Sequence, residues 1–153
     1  MTKTERIPRL GVLRHAYAVL DGIPDPQVTL HMWHTSGPLE TTANTVACVC
    51  TWLARHPDFA VPGYELVASD YDEWCFVARS KDRAKGLTES QANIDYVSDL
   101  FGLDYRVAWS LFADRNCSSA HKLPDSDTLT DKQLWQARIR QFLSSLEPGL
   151  RPV

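Results

Sequence analysis

The sequence predicts an α+β protein that is mainly helical, with about five helices and one small β-hairpin. Apolar residues recur at helical spacing along most of the chain, two capping boxes mark helix starts, and one short stretch is typical of paired strands. Of the 153 residues, 44% are apolar and 23% are charged, which is the composition of a folded protein. Because no repeat or flexible linker interrupts the chain, we expect residues 1–153 to form a single globular domain.

The first two predicted helices lie in the N-terminal third of the chain. An apolar stripe indicates a helix from about Arg6 to Asp21, which Gly22 ends. Residues 25–38 are irregular or briefly extended, and a second helix is expected from about Thr42 to His56, before a proline. The stripe of the first helix consists of Leu10, Leu13, Tyr17 and Leu20.

A β-hairpin and a third helix follow. The strands are predicted at about Tyr64–Ala68 and Trp74–Ala78, with a polar connection between them. Thr88 and Gln91 form a capping box, which satisfies two backbone N–H groups at the start of a helix that Gly102 ends. The residues of this helix that we expect to face the core are Ile94, Val97, Leu100 and Phe101.

Two more helices complete the prediction. Asp104 caps a short helix, and a second capping box of Thr130 and Gln133 begins the last one. The short helix is expected to bury Val107, Ala108, Leu111 and Phe112. The last helix is expected to bury Trp135, Ile139, Phe142, Leu143 and Leu146.

Two of the four cysteines, Cys48 and Cys50, stand one residue apart in the apolar run TANTVACVCTW. In a helix they would lie about 200° apart around the axis, so they could neither share a metal ion nor form an unstrained disulfide. In a strand they would share one face. Asn44 and Thr45 near the start of the run, and Ala-Arg-His-Pro after it, favour the helix. We therefore expect two reduced cysteines that act as small core residues.

An alternative function is zinc binding, or a small enzyme that uses cysteine and histidine. The candidate ligands form two pairs, His31 with His34 and Cys117 with His121, and a structural zinc site needs four such ligands. Nothing in the sequence shows that the two pairs meet. No phosphate loop, nucleophile elbow or metalloprotease motif is present. We therefore expect neither a bound metal nor a cofactor, with these four residues as the alternative.

A second alternative is a helix-turn-helix DNA-binding regulator built on residues 88–112. A recognition helix presents polar and basic side chains to base edges and phosphates, but here the second helix offers only Arg106 as a cation. The net charge of −3 also disfavours binding to phosphate backbones. We therefore expect a packed helical hairpin and no nucleic-acid partner.

The location of the protein is predicted from its apolar segments. No apolar run approaches the roughly 18 residues that a membrane-spanning helix needs. The charged N-terminal stretch is not followed by the unbroken apolar segment of a signal peptide. We expect a cytoplasmic protein that does not bind membranes.

Two short motifs stand out along the chain. An upstream Trp followed by the pattern C-G-T-x-A-C-x-x-G-W is matched by Trp33, Thr45, Ala47, Cys48 and Trp52. The pattern F-G-L followed by an A-x-x-L-F helix is matched by Phe101, Gly102, Leu103, Ala108, Leu111 and Phe112. In these motifs the sequence resembles a family of small, mostly uncharacterised proteins of bacteria, phages and prophages.

This chain departs from the family pattern at three positions. Ala43 replaces the first Cys, Asn44 replaces the Gly after it, and Thr51 replaces the Gly before Trp52. Chemistry that depends on the family's cysteine pair is therefore not carried over. The resemblance implies a phage- or prophage-associated setting and no established activity.

These observations lead us to expect a non-enzymatic protein that binds another protein. The resemblance extends this expectation to a phage or prophage accessory or anti-defence factor in the cytoplasm of a bacterial host cell. Tryptophan and tyrosine often dominate the energy of an interface. The candidate partner-binding residues are Trp33, Tyr71, Trp74 and Trp109.

Overall fold

The computed structural model describes residues 7–30, 35–36, 46–68, 76–80, 88–117 and 120–146. Within these ranges the protein is a mainly helical α+β structure, as predicted. The five helices are α1 (Leu10–Asp21), α2 (Val49–Arg55), α3 (Glu89–Phe101), α4 (Tyr105–Phe112) and α5 (Asp131–Leu146). The five strands are β1 (Val28–Thr29), β2 (Thr35–Ser36), β3 (Val46–Cys48), β4 (Tyr64–Ala68) and β5 (Phe76–Ser80).

The helix predicted from Thr42 to His56 is wrong at its start. Residues Val46–Cys48 form β3, which lies between β1, to which it is parallel, and β2, to which it is antiparallel. The chain becomes helical only at Val49, and α2 ends at Arg55. Pairing with two distant strands decides the backbone conformation here, and this pairing leaves no local mark in the sequence.

The predicted hairpin is present as β4 and β5, which pair antiparallel from Tyr64 opposite Ser80 to Ala68 opposite Phe76. β4 has the predicted bounds, whereas β5 begins and ends two residues later than expected. The buried Asn93 of α3 helps to position β5, because its Oδ1 accepts a hydrogen bond of 3.0 Å from the backbone N–H of Ala78.

The predicted ends of α3 and α4 are confirmed. Thr88 and Gln91 form a reciprocal capping box at the start of α3, with hydrogen bonds of 3.0 and 3.1 Å. Gly102 ends α3 in the left-handed conformation, with φ of 65°. Asp104 then caps α4 through a 2.9 Å hydrogen bond from the backbone N–H of Val107.

Two other helix ends differ in part from the prediction. Thr130 and Gln133 form the expected capping box of α5, but Leu146 at its end is 44% exposed rather than buried. α1 begins at Leu10, not at Arg6. The backbone N–H of Arg9 donates to the carbonyl of Phe101, and residues 7–9 are not helical.

The core is organised around α3, which contacts α1, α2, α4 and β5. All four residues predicted for its core face are buried, and they belong to one continuous cluster that includes residues of every helix. α5 closes the core by packing on α1, α4 and β1. Among the described residues, no helix has both the length and the apolar character needed to cross a membrane.

A partly buried carboxylate fixes the start of α5 to β1. Asp131 accepts hydrogen bonds from the backbone N–H of Leu30 at 2.9 Å and the hydroxyl of Thr29 at 3.1 Å. Arg115 adds two more, from Nε at 3.0 Å and Nη2 at 2.7 Å. Burial alone would raise the pKa of Asp131, but these donors together hold it below its ordinary value.

Candidate binding groove

The cysteines Cys48 and Cys50 do not lie on opposite sides of a helix. Cys48 ends β3 and is the N-cap of α2, and its Sγ accepts a 3.4 Å hydrogen bond from the backbone N–H of Thr51. It also lies 3.2 Å from the Thr51 hydroxyl, and the two thiols are hydrogen-bonded to each other. The helical argument for their separation therefore fails, because the first cysteine precedes the helix.

Both thiols are nevertheless core groups. Each side chain is only 1% exposed, so a substrate cannot reach either sulfur unless the backbone moves. Burial raises the pKa of Cys50, which remains a thiol. Burial opposes ionisation of Cys48 as well, but its hydrogen bonds with Cys50 and Thr51 outweigh it and lower the pKa of Cys48. The pair satisfies its polar groups internally and, like other buried cysteines, packs as small apolar side chains.

The residues of the alternative zinc site are only partly described. His31 and His34 lie outside the described residues. Cys117 is half-buried in the loop after α4, and the side chain of His121 contacts the amide of Gln141. Within the part of the chain that the structure describes, no three Cys, His, Asp or Glu side chains are placed to hold a metal ion.

Of the four aromatic residues predicted to bind a partner, the structure describes one. Trp33, Tyr71 and Trp74 lie outside the described residues. Trp109 is half-buried on α4 and packs edge-to-face on Tyr105, with ring centroids 6.2 Å apart. Trp109 therefore contributes to helix packing, and its role in binding stays a prediction.

A different surface, which the sequence did not indicate, is concave. It is an open groove of about 700 Å³, and we call it the α3-end groove. Three stretches form it: residues 7–12, residues 58–64, which lead into the first residue of β4, and residues 99–102 at the end of α3. Its apolar lining consists of Ile7, Val12, Ala60, Val61, Pro62 and Leu100.

The first wall of the groove, residues 7–12, is fixed by Arg9, which caps the C-terminal end of α3. Its Nη1 donates to the carbonyls of Asp99 at 2.6 Å and Leu100 at 2.9 Å. Its backbone N–H donates to the carbonyl of Phe101 at 2.7 Å. A cation at this position also compensates the partial negative charge of a helix C-terminus.

Gly102 allows this wall to approach α3 closely. A Cβ atom at this position would lie 2.5 Å from the carbonyl oxygen of Ile7, well inside van der Waals contact. The positive φ of Gly102 is also one that other residues adopt only at a cost. Glycine is therefore required both by the turn and by the neighbouring backbone.

The second wall of the groove, residues 58–64, is tied to α3 by Tyr64. Its hydroxyl lies 2.5 Å from Oδ2 of Asp99 and 2.9 Å from Oδ2 of Asp95, which is one helical turn away on α3. A phenol has a single hydrogen, so it donates to one carboxylate at a time. Burial, and then its hydrogen bond to Asp99, raise the pKa of Tyr64 far above its ordinary value. Tyr64 remains a neutral donor.

The loop that forms this wall has two further anchors. The hydroxyl of Tyr96 donates to the carbonyl of Phe59 at 2.6 Å, and Asp58 pairs with Nε2 of His15 at 2.9 Å. Nδ1 of His56 accepts from the backbone N–H of Asp58 at 3.1 Å. The hydrogen bond with His15 is the main cause that holds the pKa of Asp58 below its ordinary value.

The polar groups of the described lining are largely paired within the chain. The carboxylates are those of Asp58, which pairs with His15, and Asp99, which accepts a hydrogen bond from Tyr64. The described lining contains one cation, Arg9, whose guanidinium is bound to the carbonyls of Asp99 and Leu100. The groove therefore combines apolar walls with polar groups that already have partners.

The groove unites residues that are distant in sequence, and this explains why the sequence did not predict it. The Pro62-Gly63 pair marks a turn, and Gly102 marks a helix end, but neither shows that the two meet.

No protein-family profile, curated protein or solved structure matches the chain. The resemblance to the phage and prophage family thus stays a prediction.

Proposed function

We propose that the protein acts by binding another protein, and that the α3-end groove receives a segment of that partner. The observation that carries the proposal is the combination of a groove of about 700 Å³ with the side chain of Ile7, which is 85% exposed at its edge. Binding sites are typically concave and lined mostly by apolar side chains. The phage or prophage setting rests on the resemblance alone.

The construction of the groove supports this proposal. Arg9, Tyr64 and Tyr96 fix its walls through hydrogen bonds within the chain. A partner therefore meets a largely preformed surface, and less free energy is spent on ordering it. The buried thiols of Cys48 and Cys50 offer no comparable access to an outside molecule.

The test is to fill the groove and measure partner capture. Ala60 is exposed in the lining, so Ala60→Trp should block the groove without disturbing the core. Ala18→Trp makes the same change on the exposed side of α1, outside the groove. Proteins captured from a lysate of the encoding organism should be retained by wild type and Ala18→Trp and lost with Ala60→Trp. Equal capture by all three would contradict the proposal.

A further inference from the structure

The junction between β3 and α2 brings together two thiols that a continuous helix would separate. Cys48 has an extended backbone, with φ of −72° and ψ of 161°, and Val49 is the first residue of α2. Because ψ sets the direction of a residue's Cβ relative to the chain that follows, the side chain of Cys48 is rotated away from its position in a helix. The thiols of Cys48 and Cys50 are therefore hydrogen-bonded to each other.

The backbone spacing of the two cysteines suits a disulfide. Since Val49 is helical, the rise and radius of an α-helix place the Cα atoms of Cys48 and Cys50 about 5.4 Å apart. Disulfides join cysteines whose Cα atoms are roughly 4.4–6.8 Å apart. The bond therefore requires rotation of the two side chains and little movement of the backbone.

Cys48 is the better nucleophile of the two. Its Sγ accepts a 3.4 Å hydrogen bond from the backbone N–H of Thr51 and lies 3.2 Å from the Thr51 hydroxyl. Burial opposes ionisation of both thiols, but the hydrogen bonds with Cys50 and Thr51 lower the pKa of Cys48, whereas the pKa of Cys50 is raised. Since the thiolate is the reactive form of cysteine, oxidation should begin at Cys48.

Access to the pair depends on a local opening, since each side chain is only 1% exposed. The two elements that contain the cysteines are short, with three residues in β3 and seven in α2. Local opening of such elements requires less free energy than global unfolding. Hydrogen peroxide has only two heavy atoms, so it needs a smaller opening than a maleimide does.

We propose that Cys48 and Cys50 are a site of reversible oxidation, at which a peroxide converts the two thiols to a disulfide. The Cys48 sulfur attacks one peroxide oxygen, which gives a sulfenic acid at Cys48 and releases one water molecule. The Cys50 thiol then displaces the sulfenic hydroxyl as a second water molecule, and the S–S bond forms. The two sulfur atoms together lose two electrons, which reduce the peroxide. A thiol reductant reverses the reaction by exchange. This chemistry does not depend on the proposed function of the α3-end groove.

The test is to treat the reduced, folded protein with hydrogen peroxide, to alkylate the remaining thiols after denaturation, and to analyse the tryptic peptides by mass spectrometry. Cleavage after Lys and Arg leaves Cys48 and Cys50 together in peptide 15–55 and places Cys75 and Cys117 in two other peptides. Peptide 15–55 should carry no alkyl group and should be lighter by two hydrogen atoms than its reduced form. Dithiothreitol should restore alkylation of both cysteines.

Three variants serve as controls. Cys48→Ser keeps an oxygen acceptor at the N-cap of α2, and its Cys50 should stay open to alkylation after the peroxide treatment. Cys50→Ala should stop at the sulfenic or sulfinic acid of Cys48. Cys117→Ser removes the half-buried thiol outside the pair and should leave oxidation of peptide 15–55 unchanged.

Four results would overturn the proposal. These are alkylation of both Cys48 and Cys50 at a peroxide dose that oxidises Cys117, sulfinic acid at Cys48 beside an alkylated Cys50, a disulfide from either residue to another peptide, and a Cys48–Cys50 bond that forms only in urea. The last result would show that the folded backbone keeps the pair reduced. Circular dichroism of each variant should match that of wild type.

Discussion

Replacing Gly102 with alanine should destabilise the protein and displace one wall of the α3-end groove. Adopting φ of 65° costs an alanine roughly 1 kcal/mol relative to glycine. Its Cβ would lie 2.5 Å from the Ile7 carbonyl oxygen, so one of the two backbones must move. That movement would weaken the hydrogen bonds of Arg9 to α3, which are worth about 1 kcal/mol each and less where they are exposed. The total loss should be about 2–3 kcal/mol.

Urea unfolding measures this loss directly, and the midpoint should fall while the slope stays unchanged. In thermal unfolding, the melting temperature should fall by roughly 10 °C for a chain of this size. Gly11→Ala is the matched control, because Gly11 is exposed in α1 and no atom approaches its Cβ position within 4 Å. It should stabilise the protein by up to about 1 kcal/mol. A Gly102→Ala variant as stable as wild type would refute the reasoning.

Three further predictions concern the interior. Asp131→Asn should cost about 2–3 kcal/mol in unfolding free energy, because it weakens the charged hydrogen bonds with Arg115. The folded-state pKa of Asp131 is lowered, so the difference in unfolding free energy between wild type and this variant should be complete above about pH 5. It should shrink as the pH falls below the unfolded pKa of roughly 4 and then through the folded pKa. A difference independent of pH would contradict this. Arg138→Met should cost about 2 kcal/mol in urea unfolding, because Nη1 of the buried Arg138 donates to the carbonyls of Leu111 and Ala113 at the end of α4. A neutral result would mean that desolvation of the guanidinium offsets those hydrogen bonds. In native protein, a maleimide should label the half-buried Cys117 before Cys48 and Cys50, as read by mass spectrometry of the peptides; early labelling of the buried pair would show that β3 and α2 open readily.

The parts of the fold that the sequence predicted correctly depend on local interactions. The capping boxes at Thr88 and Thr130 and the glycine at 102 act within one helical turn, and each lies where expected. The apolar stripe of α3 likewise needs only helical periodicity. These features are determined by residues three or four positions apart, so they can be read from a single chain.

The errors arise where distant segments meet. Val46–Cys48 pair with β1 and β2, and this pairing overrides the helical preference expected for the run around Cys48. The α3-end groove depends on similarly distant contacts, since Arg9 bonds residues about ninety positions away. Neither segment contains a motif that indicates its contact with the other, so the groove could be found only from the structure.

The same distant contacts should allow stability and the proposed binding to be separated experimentally in this protein. Arg9 and Tyr64 direct their polar groups to α3, and these bonds shape the groove from behind, whereas Ala60 and Ile7 face the space a partner would occupy. A change at Gly102 should therefore alter the free energy of unfolding and binding together. A change at Ala60 should alter binding alone. If Ala60→Trp lowered the melting temperature as much as Gly102→Ala, the groove would be a packing defect that the fold tolerates rather than a preformed site.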